Sequence, residues 1–114
     1  MRLINQTSNM LVADEVFCAN TFLARSIGLL NRKIFLPRQA LILEPCNAVH
    51  SIFMRFAIDL LFVDKNNQVI ALLVDFKPNR LTRIYGRARK VIELPVGTVQ
   101  LTQTKVSDQL QLLS

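Results

Sequence analysis

The sequence predicts an α+β domain, mainly β, with its strands in a barrel-like or strongly curved mixed sheet and one or more short helices. Three observations predict it. Short runs of Ile, Leu, Val and Phe, bounded by Pro, Asn, Asp or Gly, recur from residue 39 to the C-terminus. A helical period occurs once, near the front, over residues 20–30. No further long helix alternates with the strands, which disfavours a doubly wound parallel sheet. Curving or closing the sheet removes exposed edges.

Taken in order, residues 1–10 read as a peripheral segment: 5–9 are polar and turn-like, and 10–13 form a short strand. Asn20 or Thr21 caps the helix by accepting a hydrogen bond from an orphan backbone N–H. Phe22, Leu23, Ser26, Ile27 and Leu30 then lie near one helical face. Gly28 inside it costs about 1 kcal/mol against Ala, which points to close packing or an end near Leu30. Arg32 and Lys33 suit a helix C-terminus, and Pro37 breaks the chain. Residues 40–43 are a short strand stopped by Glu44-Pro45. Residues 58–63 and 68–76, joined by Asp64-Lys65-Asn66-Asn67, form a β-hairpin. Residues 91–94 are a strand punctuated by Pro95 and Gly97. The partial alternation of 99–106 gives another, and Ser107-Asp108 turns the chain into a last apolar stretch with Leu110, Leu112 and Leu113.

The bulk numbers bound the function. A chain of 114 residues makes one domain, 1–114. Apolar residues are 51% and charged ones 19%, a balance that builds a core and argues against disorder. The longest apolar run, 69–74, has six residues, against about 20 for a membrane span. With no apolar stretch near the start to act as a secretory signal, the chain reads as cytoplasmic. Cys18 and Cys46 lack metal or redox spacing and read as two buried thiols. No cofactor and no metal is expected.

The net charge of +6 is unevenly spread. Between Asp75 and Glu93 there is no acid, yet Lys77, Arg80, Arg83, Arg87, Arg89 and Lys90 fall there. Such a block suits nucleic acid, an anionic membrane surface or an acidic partner, or is simply a solvated face.

Residues 45–64 hold the candidate chemistry. His50 is the chain's one histidine, and Cys46 lies four residues before it. Asp59 interrupts an apolar strand, so its carboxylate faces solvent or finds partners such as Ser51 or Arg55. Cys46, His50 and Asp59 would supply nucleophile, base and orienter for a hydrolase, or three metal ligands lacking a signposted fourth. The structural alternative has Asp59 pin a loop through backbone N–H groups while His50 orients a turn.

The run from His50 through Ser51, Met54, Arg55 and Asp59 to Asp64 resembles the central signature of the family called domain of unknown function 192. Residues 24–32, with Gly28 and Arg32, resemble its early segment. Residues 88–97, with Glu93, Pro95 and Gly97, resemble its late one. The likeness covers about 11–113. Ala57 stands where a Pro is common, and Ser107-Asp108 where a Gly-Asp turn is usual. The resemblance implies a compact, mainly β fold and brings no established activity.

The leading expectation is a non-enzymatic ligand- or partner-binding module. Its binding residues would be His50, Ser51, Met54, Arg55, Asp59 and Glu93, with a small pocket lined by Phe53, Met54 and Phe56. The alternatives are a Cys- or metal-dependent hydrolase centred on Cys46, His50 and Asp59, and electrostatic nucleic-acid binding by residues 77–90.

Overall fold

A computed structural model describes residues 1–19 and 34–114. The helix expected over 20–30, with Gly28 and Arg32, lies outside the described residues. The strands are β1 (Arg2–Asn5), β2 (Met10–Ala13), β3 (Glu15–Ala19), β4 (Gln39–Leu43), β5 (Ile58–Val63), β6 (Val69–Phe76), β7 (Lys90–Pro95) and β8 (Leu110–Leu113). One helical turn, α1 (Thr98–Leu101), lies between β7 and β8.

The fold is mainly β, as the sequence predicts. Instead of one closed barrel, the strands divide between a three-stranded sheet, β2-β1-β8, and a five-stranded sheet, β3-β4-β7-β5-β6. The larger sheet is mixed: β3 runs parallel to β4, and the other pairs are antiparallel.

The apolar run of β5, broken only by Asp59, follows from its position. Side chains alternate across a strand, so Leu61 and Val63 face one core cluster while Ile58, Leu60 and Phe62 face the other. The first cluster is closed by Leu3, Val12, Ala13, Leu110 and Val99, from the smaller sheet and α1. Met54 and Ala88 close the second, with Val49, Phe56 and Tyr85 packed against it. A strand covered on both faces has no solvent side on which to place polar residues. Burying each such side chain contributes about 1.5–3 kcal/mol. β6, at the edge of the sheet, is correspondingly half-exposed. The hairpin between them turns as expected: Asp64 Oδ1 accepts from the backbone N–H of Asn66 and Gln68 at 2.9 and 3.0 Å.

Residues 1–10 include β1, the central strand of the smaller sheet. Its Asn5 is fully buried. The amide donates to Thr104 Oγ1 and Asp108 Oδ2, and its Oδ1 accepts from the backbone of Thr7 and Ser8. Cys18 is exposed on the edge strand β3, a correction to the expectation of two buried thiols.

The C-terminal stretch corrects a second expectation. Residues 98–101 turn as a helix, and 99–106 is not a strand. Its apparent alternation comes from Thr102 and Thr104, buried because their hydroxyls bond each other at 2.7 Å and Thr102 Oγ1 donates to the Thr98 carbonyl. The Ser107 turn is formed, with Ser107 at φ 82°. A left-handed backbone costs an L side chain about 1–2 kcal/mol, which glycine avoids at some entropic cost. Ser107→Gly is therefore expected to raise stability by about 0.5–1 kcal/mol in urea unfolding. A lower stability in the variant would contradict this account of the turn.

Candidate functional site

Two segments far apart in sequence form one flap on the larger sheet. Backbone hydrogen bonds join Cys46 to Arg89, Asn47 to Tyr85, Val49 to Thr82 and Ser51 to Arg80, and His50 bridges Leu81 in antiparallel fashion. The start of the central motif thus lies along the basic segment. Two devices fasten the pair. Tyr85 stacks on the core ring of Phe62, centroids 4.1 Å apart, with the Arg83 guanidinium 4.6 Å from the Tyr85 centroid on the same ring. Ser51, fully buried, donates its hydroxyl to the Lys77 carbonyl at 2.6 Å and accepts from the Arg80 N–H at 3.0 Å.

The structure does not bring Cys46, His50 and Asp59 together. Cys46 packs against the second core cluster, its Sγ donating to the Ala48 carbonyl at 3.1 Å. His50 is exposed, and its Nδ1 accepts from the Ile52 N–H. Asp59 alternates with Ile58 and Leu60, so it faces the other side of the sheet, toward α1. Among the described residues no group of three His, Cys, Asp or Glu side chains is placed to hold a metal.

Asp59 is 1% exposed, and its carboxylate is occupied by backbone. Oδ1 accepts from Asp75 N–H at 3.0 Å. Oδ2 accepts from Gly97 N–H at 3.1 Å and Val99 N–H at 3.0 Å. The first N–H groups of a helix lack intrahelical partners, and here a carboxylate from β5 serves α1 in place of a local cap. Gly97, at φ 95°, provides the left-handed entry that this approach requires.

Glu93, on β7, sits between Leu41 and Leu60 of the neighbouring strands and is 3% exposed. Burial in that apolar layer pushes its carboxyl up to about 8. Met54 is buried, Phe53 is 79% exposed, and Phe56 packs beside Phe35 with ring centroids 6.1 Å apart. Successive residues of the tight turn thus point out and in, so Phe53 and Met54 do not share one lining. Among the described residues an open groove of about 420 Å³ runs along Asp59, Val74, Asp75, Val96 and Gly97, and another of about 320 Å³ along Phe35, Phe56, Ala57 and Pro95.

The outer side of the flap is the most distinctive surface. Residues 45–58 and 76–92 carry seven of the fourteen Lys and Arg and none of the eight acids. Arg55, Arg80, Arg83, Arg87 and Arg89 are exposed, and among the described residues no acid pairs with them. Lys77 pairs with Asp75 at 2.8 Å, and Lys90 lies 3.8 Å from Glu44. Large apolar side chains stand among the cations: Phe53, Leu81 at 72% exposure, Ile84 at 67%, and Ile52. Sequence reasoning missed Leu81 and Ile84, whose one signal was their interleaving with Arg.

The family model of domain of unknown function 192, described as Uncharacterized ACR, matches residues 3–112. The UPF0127 protein of Pyrococcus furiosus is 36% identical over 96% of this chain and 96% of its own. Two solved structures share the fold. A protein of unknown function from Novosphingobium aromaticivorans is 17% identical, with 98% of this chain and 84% of that one covered and a TM-score of 0.86. A Sinorhizobium meliloti protein described as a candidate transcription regulator is 20% identical, with 96% and 89% covered and a TM-score of 0.83.

Proposed function

The chain belongs to the family of domain of unknown function 192, and on that footing we propose that it is a non-enzymatic binding module whose contact surface is the outer side of the flap, with an anionic partner. One observation carries this reading: the net positive charge of the molecule resides in the two segments that the fold lays side by side. Six of the seven cations lie in 77–90, and the pairing lays beside them the segment that holds Arg55, with exposed apolar groups in both, the composition of an interaction surface. Arg predominates, which suits carboxylate or phosphate groups through its planar fork of donors.

The motif residues then serve the flap or the core. Ser51 latches the two segments, and Met54 anchors the tip in the core. Arg55 adds charge, while His50 orients the turn at Ile52. Asp59 and Glu93 support the sheet beneath. The hydrolase reading needs Asp59 behind the imidazole of His50, and Asp59 is engaged by three backbone N–H groups instead.

The test is retention on an immobilised polyanion, heparin, along a salt gradient. Wild type is expected to bind at about 50 mM salt and to release steeply by about 200 mM, as counterion release requires. Arg80→Glu/Arg83→Glu is expected to flow through. Lys65→Glu/Lys105→Glu, the same charge change away from the flap, is expected to elute near wild type. Passage of wild type through the column, or equal losses in the two variants, would overturn the reading.

A further inference from the structure

We propose that the anionic partner is a lipid surface, with the tip of the flap entering the headgroup boundary. This deepens, and rests on, the reading of the flap as the contact surface. The carrying observation is Phe53. It is the most exposed large apolar side chain in the described structure, at 79%, and its backbone is left-handed, φ 65°. That conformation is uncommon for a bulky residue and persists only where the surroundings enforce it. They do so here. Asn79 Oδ1 accepts from the Phe53 N–H at 3.0 Å. The Ser51 carbonyl accepts from both Met54 N–H at 3.0 Å and Asn79 N–H at 2.9 Å. Buried Met54 and Ser51 hold the base of the turn in the protein while the ring between them projects outward.

Leu81 opposite His50, and Ile52 beside the ring, widen the apolar tip. Arg80 and Arg55 flank it, and Arg83 and Arg87 lie further along the flap. Neither of these two grooves among the described residues is lined by Ile52, Phe53, Leu81 or Ile84.

Apolar groups at a tip with cations behind them match a bilayer boundary, in which acyl chains begin below a layer of phosphates. The cations act within about a Debye length of an anionic surface. A single nucleic-acid strand fits less well. Such binders stack successive bases on several aromatic rings, whereas the tip offers one ring and several aliphatic side chains to which phosphates offer nothing.

The chain contains no Trp, so Phe53→Trp reports on the tip alone. With vesicles of equal parts phosphatidylglycerol and phosphatidylcholine, its emission is expected to shift to the blue and to become shielded from acrylamide. Vesicles of phosphatidylcholine alone are expected to leave it unchanged. Wild type is expected to sediment with the anionic vesicles. Phe53→Asn/Leu81→Gln is expected to lose at least tenfold in partitioning while eluting from heparin as wild type does. Asn tolerates the left-handed backbone, and an unchanged thermal unfolding midpoint confirms that the variant folds.

Heparin retention without vesicle binding, or vesicle binding indifferent to the tip variant, overturns the lipid proposal and leaves the flap reading standing. Loss of heparin retention in wild type overturns both. Binding of a fluorescent single-stranded oligonucleotide that is tighter than vesicle binding and weakened by Phe53→Asn assigns the tip to nucleic acid, and likewise overturns the lipid proposal.

Discussion

At pH 8, Glu93→Gln is expected to be more stable than wild type by about 4 kcal/mol, and at pH 4.5 the two are expected to unfold alike. The reason is the apolar layer around Glu93, which raises its carboxyl from 4.5 to about 8 by desolvation. Below about 4.5, folded and unfolded chains both hold the proton, and stability is whole. Between 4.5 and about 8 the unfolded chain has released it while the folded chain keeps it. Stability then falls with rising pH by up to about 1.4 kcal/mol per unit. Above about 8 the loss is complete. Gln has nearly the shape of the protonated acid and no proton to release, so its profile lacks this slope. Urea unfolding of both proteins from pH 4.5 to 8.5 checks it. Parallel profiles would mean that Glu93 is solvated in the native state. Because Glu93 lies under the flap-side core and not on the flap, heparin retention of the variant is expected to match wild type.

Glu93 also illustrates how much the sequence could say. Its position inside the run 91–94 marks it as unusual, since an acid between core residues must be solvated, partnered or neutral. Which of these holds depends on Leu41 and Leu60, brought beside it by strand pairing. β4, β5, β6, β7 and β8 were legible because each is a short apolar run with turn residues at its ends. β1 was not, having two apolar residues, Leu3 and Ile4, between polar neighbours. β3 was not, because an edge strand paired in parallel has neither burial alternation nor a hairpin turn to announce it.

The site was legible in halves. The basic segment and the motif around His50 each stood out, one by charge and one by residue type. What joins them is a ladder of backbone bonds between residues 29 to 43 positions apart, from Ser51–Arg80 to Cys46–Arg89, and backbone groups carry no sequence signal. The conformation of Phe53 is hidden for the same reason. Nothing in Ile52-Phe53-Met54 announces a left-handed residue, because Asn79 and Ser51 impose it from outside the tripeptide.

Asp59 carries the same lesson into a second large effect. Asp59→Ala is expected to lower stability by about 4 kcal/mol, since it removes the acceptor of three donors, the part-buried N–H groups of Asp75 and Gly97 and the buried one of Val99. Asp59→Asn is expected to cost less, about 2 kcal/mol. Its carbonyl oxygen still accepts from Gly97 and Val99, but its NH₂ group then opposes the Asp75 N–H. The damage is also localised. Without the carboxylate, α1 has no partner for its first N–H groups, and Val99 leaves the cluster formed by Leu61, Leu94 and Leu110. Amide hydrogen exchange at Gly97 and Val99 is therefore expected to accelerate in Asp59→Ala by more than the global loss of stability explains. The flap hydrogen bonds at Ser51 and Arg80 are expected to follow the global change alone. Urea unfolding at pH 7 and exchange on the same samples decide the matter. A loss within about 0.5 kcal/mol, the range of ordinary surface substitutions, would remove Asp59 from the structural framework and return it to the list of groups free to act on a ligand.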